Sequence, residues 1–154
     1  RNAHFNGLLD FGVTVECLKV YLKQRNGFMK DVLRTDECLK IYKEKRQRLG
    51  DTIAEYDLTQ NPIIKKWQWW ILVENEFPYD KIASKHHLLV PLMKCTEMNQ
   101  LSDVGKWQLE DIKKELKNDY DSYFENTLEN RTVPSQYHIH CIKYLYITPL
   151  EELS

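Results

Sequence analysis

Apolar residues recur along this chain with two different periods, and the change from one to the other divides it. Over residues 14–24 (TVECLKVYLKQ), Val15, Leu18, Tyr21 and Leu22 fall at helical spacing, and Asn26-Gly27 closes the run. A second helical stretch begins at Thr35, where T-D-E-C supplies a capping hydroxyl followed by acids in the first turn. Cys38, Ile41, Tyr42, Leu49 and Ile53 continue it as an apolar stripe that Gly50 interrupts. After Asn61-Pro62 the texture changes. IIKKWQWWILVEN, rich in aromatic and β-branched side chains, predicts one long strand, EFPYDK a turn, and HHLLVPLM a second strand ending at Pro91.

LSDVGKWQLEDIKKELKNDY returns to the helical period, with Leu101, Val104, Trp107 or Leu109, Ile112 and Leu116 along one face. SYFEN reads as a short strand or the end of that helix, and YHIHCIKYLYI at 137–147 as the last strand before a polar tail. Helices followed by strand, strand, helix and strand imply an α+β fold: an antiparallel sheet with a packed helix, preceded by an N-terminal helical segment. The division falls at residues 1–62 and 63–154.

At 154 residues the chain is long enough for one domain with a real core. A net charge of −1 provides no global field to recruit nucleic acid or an anionic membrane. The one basic cluster, KEKRQR at 43–48, sits on the polar side of the second helix and reads as a solvated face. No apolar run approaches the roughly 20 residues that span a bilayer, and no signal-peptide pattern is present. The four cysteines, Cys17, Cys38, Cys95 and Cys141, are scattered, which suits free thiols in a reducing, cytoplasmic compartment.

The chemistry concentrates in VPSQYHIHCIKY, residues 133–144. Residues two apart on a strand share a face, so His138 and His140 are expected to project side by side. Neutral imidazole can attack phosphorus near neutral pH. At this level the pair stays open between structural histidines, catalysis and a metal site in which His86 or His87 and a carboxylate such as Asp80 or Glu76 join it.

The wider pattern narrows the choice. PSQYHIHCI resembles the H-φ-H-φ-H-φ-φ signature of the histidine-triad superfamily, and P-S-x-Y-H-x-H is similar to the variant in scavenger mRNA-decapping enzymes. LVENEFPYD followed by HHLLVP at 86–91 resembles the upstream half, so the likeness runs from about residue 66 to 146. It implies hydrolysis or transfer at a nucleotide phosphoanhydride or phosphoester through a covalent nucleotidyl-histidine on His140, with His138 orienting and His86 beside them. Asn75, Asn126, Ser135, Arg131 and His87 are the implied substrate-binding residues. Trp67, Trp69 and Trp70 are candidates to stack on a base. The implied partner is a nucleotide or nucleotide conjugate, capped RNA ends included, in a homodimer, with no cofactor and no membrane. The third triad position is Ile142, which can neither donate a proton nor bond a phosphoryl group. His86, His87, Arg131 or Lys94 is then needed to supply the missing donor or charge. Without one, the chain is a nucleotide- or cap-binding module.

Overall fold

The computed structural model describes residues 33–145. The helix expected at 14–24, the tail, and the last two residues of the final expected strand lie outside them. The described elements belong to one compact unit that begins at Arg34. They are α1 (Asp36–Leu49), β1 (Ile63–Lys66), β2 (Trp70–Glu74), β3 (Ala83–Pro91), α2 (Asp103–Glu115), β4 (Ser122–Phe124) and β5 (Ile139–Tyr144). The strands form one antiparallel sheet in the order β1-β2-β3-β5-β4, so the fold is α+β as expected.

α1 starts where Thr35 Oγ1 accepts the Cys38 amide at 3.3 Å, satisfying a donor that has no intrahelical partner. It stops at Gly50, whose φ of +48° favours glycine, and a 3-10 stretch (Gly50–Glu55) replaces the expected continuation through Ile53. Of the expected stripe only Tyr42 is buried, and Ile41 is exposed.

The long strand expected over 63–75 is instead a hairpin: β1 folds back on β2, with Trp67 N donating to the Trp70 carbonyl at 2.8 Å. The apolar run Trp70–Val73 is buried on both faces as an inner strand, while Ile63–Lys66 is exposed throughout and forms the sheet edge. A single straight strand would have carried Lys65, Lys66 and Gln68 into the position that Trp70–Val73 occupies.

Cross-strand pairs sort the sheet into two faces. Trp70, Leu72, Leu89, Ile139 and Cys141 pack under α2 against Leu109, Ile112 and Leu116. Ser102 caps that helix by accepting the Gly105 amide, and Trp70 Nε1 donates to the Gly105 carbonyl at 2.8 Å. Val104 and Trp107, candidates for the same stripe, are exposed. On the opposite face Ile71, Val73, Leu88 and Val90 pack against Leu58 and Val133. His86, His140 and Ile142 belong to this second face, because His86 pairs with Ile142, and Leu88 with His140. No helix among the described residues is long and apolar enough to cross a membrane.

Candidate functional site: a buried histidine cluster

The register of β3 against β5 makes His86 and His140 diagonal neighbours on one face, within reach of each other's side chains. Their rings meet: His86 Nε2 lies 2.8 Å from His140 Nδ1. His138, one residue before β5 begins, joins them with its ring centroid 5.0 Å from that of His140. All three are buried, at 4%, 5% and 4% exposure for His86, His138 and His140. Tyr79 and Phe124 lie nearly parallel to the His140 ring, at centroid distances of 5.4 and 5.0 Å.

Burial disfavours imidazolium, and each histidine is held below its ordinary value. His86 falls from 6.5 to about 3, mainly by burial and then by the charge of Arg34. Burial also dominates for His140, which lies well below 6.5, with His138, His86 and Arg34 adding to the effect. His138 is lowered by burial, against the opposing effect of the Gln136 carbonyl. Near neutral pH all three rings are therefore neutral, and each carries a single N–H.

Hydrogen bonds fix where that proton sits. The Tyr79 amide donates to His86 Nδ1 at 2.9 Å, so the His86 proton is on Nε2 and is donated to His140 Nδ1. His140 then carries its own proton on Nε2. That nitrogen lies 3.2 Å from the Asn126 side-chain amide, which is also 3.0 Å from the Tyr79 hydroxyl. Two donors cannot share one hydrogen bond, so the Nε2–H tautomer of His140 requires the Asn126 carboxamide, whose Nδ2 faces both groups, to turn through 180° and present its oxygen instead. His138 is the reverse case. Its Nδ1 donates to the Gln136 carbonyl at 2.9 Å, leaving a lone pair on Nε2. The two histidines of β5 and its approach thus have opposite tautomers: His140 offers a donor, His138 an acceptor or nucleophile.

His138 and His140 line a cavity together with Asn75, Arg34, Tyr42 and Phe77. It offers about 60 Å³ of space to the centre of a water molecule. Asn75 is fixed by the Phe77 amide, which donates to Asn75 Oδ1 at 2.9 Å; its Nδ2 sits beside the His86 ring, 3.3 and 3.2 Å from the two nitrogens.

The other expected residues are distributed more widely. His87 points to the α2 face and bonds the Tyr120 hydroxyl at 2.6 Å, so it is not brought to the cluster. Ser135 Oγ donates to the Ala54 carbonyl at 3.2 Å and does not line the cavity. Arg131 is buried, donating to the carbonyls of Thr96 and Asn126, and so braces the loop that carries Asn126 without touching the rings. Lys94 is exposed. Trp70 is in the α2 core, Trp67 Nε1 donates to Glu115 Oε2, and Trp69 is on the surface; none lines the cavity. Ile142 is fully buried and supplies no polar group.

Asp80 receives both the amide and hydroxyl of Thr35, and Glu76 is held by Lys45 and Tyr56, so neither carboxylate turns to the histidines. Among the described residues no group of three or more His, Cys, Asp or Glu side chains is placed to hold a metal ion. Cys38, Cys95 and Cys141 are free thiols, and burial pushes Cys141 up to about 12.

Arg34, Tyr79 and Gln136 escaped sequence reasoning. Gln136 acts on His138 through its carbonyl and Tyr79 on His86 through its amide, groups that carry no residue signature, although the Tyr79 ring and hydroxyl also meet His140 and Asn126; Arg34 precedes the cap of a helix outside the region of likeness. No protein-family model matches the chain, and no curated protein matches it.

Proposed function

We propose that this chain is a phosphoryl-transfer enzyme of the histidine-triad type, acting on a nucleotide phosphoanhydride, with His138 as the attacking residue and His140 as the hydrogen-bond donor. The observation that carries this reading is the set of hydrogen-bond partners around two rings on one wall of a cavity, from which opposite tautomers are assigned. The resemblance alone gives attack to His140 and orientation to His138; the hydrogen bonds favour exchanging those roles. His140 has no lone pair free, since Nδ1 already accepts from His86. His138 has one on Nε2, and the Gln136 carbonyl stabilises the positive charge that develops on its ring.

In the first step the Nε2 lone pair of His138 forms an N–P bond while the P–O bond to the leaving phosphate breaks, its electron pair departing with oxygen. Water then attacks phosphorus, the N–P bond breaks with its pair returning to Nε2, and the proton that water loses passes to the product phosphate or to solvent. For His140 to stabilise the charge that builds, its Nε2–H must exchange from the Asn126 side chain, 3.2 Å away, to a phosphoryl oxygen. His86 holds its proton on Nε2 and keeps His140 in the donor tautomer, a positioning role.

The leaving group follows from the same burial. Alkoxide needs a proton on departure, and rings as weakly basic as His86, at about 3, hold none to give at neutral pH. Phosphate leaves as a stable anion. Anhydrides, including the bridge of a capped RNA end, are therefore favoured over simple phosphoesters. Three free thiols suit a reducing, cytoplasmic setting.

A second reading, a nucleotide-binding module without turnover, is favoured by the buried Ile142 at the third triad position. The two separate on incubation with a labelled dinucleoside polyphosphate or cap analogue, followed by mass spectrometry under non-acidic conditions. Turnover with an adduct on His138, absent in His138→Ala, supports the enzyme. Tight binding without adduct or turnover supports the module.

A further inference from the structure

A cation from outside the histidine strands faces the same cavity. Arg34 stands just before the cap of α1 and is 4% exposed. Its Nε donates to the Phe77 carbonyl at 3.0 Å, and its guanidinium carbon lies 4.3 Å from the Tyr42 ring centroid and 4.7 Å from that of Tyr79. Those contacts fix the plane of the group. Nη1 is buried and has no hydrogen-bond partner among the described residues.

A buried guanidinium nitrogen with no acceptor is costly, and aromatic faces do not cancel its charge. Among the described residues, no carboxylate forms a salt bridge with Arg34. The other cations at this cavity are engaged: Lys45 Nζ contacts Glu76 at 2.5 Å, and Arg46 Nη1 donates to the Thr132 carbonyl at 2.9 Å. Arg34 is thus the lining cation left with an unfilled donor. Arg34, His138 and His140 line one cavity, so the open donor and the two rings face the same space.

We propose that Arg34 is the anion-binding residue of this cavity, taking a non-bridging oxygen of a phosphoryl group on Nη1 while His138 and His140 face that group from the sheet. This rests on the phosphoryl reading above for the identity of the anion, but binding requires no catalysis.

The test is calorimetric titration of the full chain at pH 7 with AMP, adenosine and inorganic phosphate, with UMP and uridine as a second pair. The expected result is at least tenfold tighter binding of each nucleotide than of its nucleoside, and phosphate competing with both nucleotides. Phosphate binding as tightly as AMP also supports the anion site and assigns it to the free ion. Arg34→Met, checked for folding by circular dichroism, is expected to reduce the nucleotide-to-nucleoside ratio below threefold, and Arg34→Lys to an intermediate value. Trp107→Ala, on the exposed side of α2 and away from the cavity, is expected to keep the ratio, and an inactive wild type that still discriminates would count against catalysis and leave the anion site standing. Equal binding of AMP and adenosine by the wild type overturns the proposal without reference to any variant. So does a folded Arg34→Met chain that retains the tenfold preference.

Discussion

His86 Nε2 lies 2.8 Å from His140 Nδ1, and because the Tyr79 amide occupies the other nitrogen of His86, that contact has one direction: His86 donates and His140 accepts. From this polarity follow the proton on His140 Nε2 and its difference from His138.

Removing His86 should therefore act through His140. In His86→Leu the constraint on His140 disappears and both of its neutral tautomers become populated. The expected outcome is a fall in kcat of about tenfold or more with a smaller change in KM, because the lost interaction holds a donor in place. An unchanged kcat would remove His86 from the positioning role.

Acid should unfold the chain early. The sign is set by burial: His86, His138 and His140 all have folded values below 6.5, so as pH falls through that value the unfolded chain takes up protons that the folded chain refuses. Stability contributed by the neutral rings is complete above 6.5 and declines as pH drops toward about 3, the folded value of His86. Each histidine contributes a slope of up to about 1.4 kcal/mol per pH unit. Urea midpoints measured between pH 7 and pH 4 should fall, and His86→Leu should flatten the curve.

The two faces of α2 should respond differently to truncation. Ile112→Ala opens a cavity in the core beneath the helix and is expected to cost about 2–5 kcal/mol. Trp107→Ala, at a position 65% exposed, should cost well under 1 kcal/mol. Chemical denaturation of both variants checks the contrast, which helical periodicity alone does not give, since Trp107 and Leu109 compete for the same stripe.

That ambiguity illustrates how much of the fold was legible. Thr35, Ser102 and Gly50 mark helix ends through local chemistry, and the alternation at His138-Ile139-His140 sets the strand face; such features are contained in short stretches. The turn at 67–69 was not readable, because IIKK and WILV are equally plausible as strand and only tertiary pairing sends one to the edge. At the site, the sequence indicated His86, His138, His140, Asn75 and Asn126, which the fold brings together. It could not indicate that His87, a single residue from His86, faces away, because strand register decides this. Nor could it indicate the hydrogen bonds that distinguish His138 from His140, which come from the backbones of Tyr79 and Gln136.

Gly50 allows a test of backbone strain with no packing term. Its φ is +48°, and nothing lies within 4 Å of an added Cβ. Gly50→Ala is expected to cost about 1–2 kcal/mol through conformation alone, partly offset by the stiffer unfolded chain. A shift of the thermal midpoint downward is the readout.

The tautomers themselves can be observed. Two-bond proton–nitrogen NMR on histidine-labelled protein at pH 7 separates protonated from bare ring nitrogens for each imidazole. The expected spectrum has His86 and His140 protonated on Nε2 and His138 protonated on Nδ1 with Nε2 bare. A His138 ring carrying its proton on Nε2, or a His140 ring with Nε2 bare, would contradict the assignment of attack to His138.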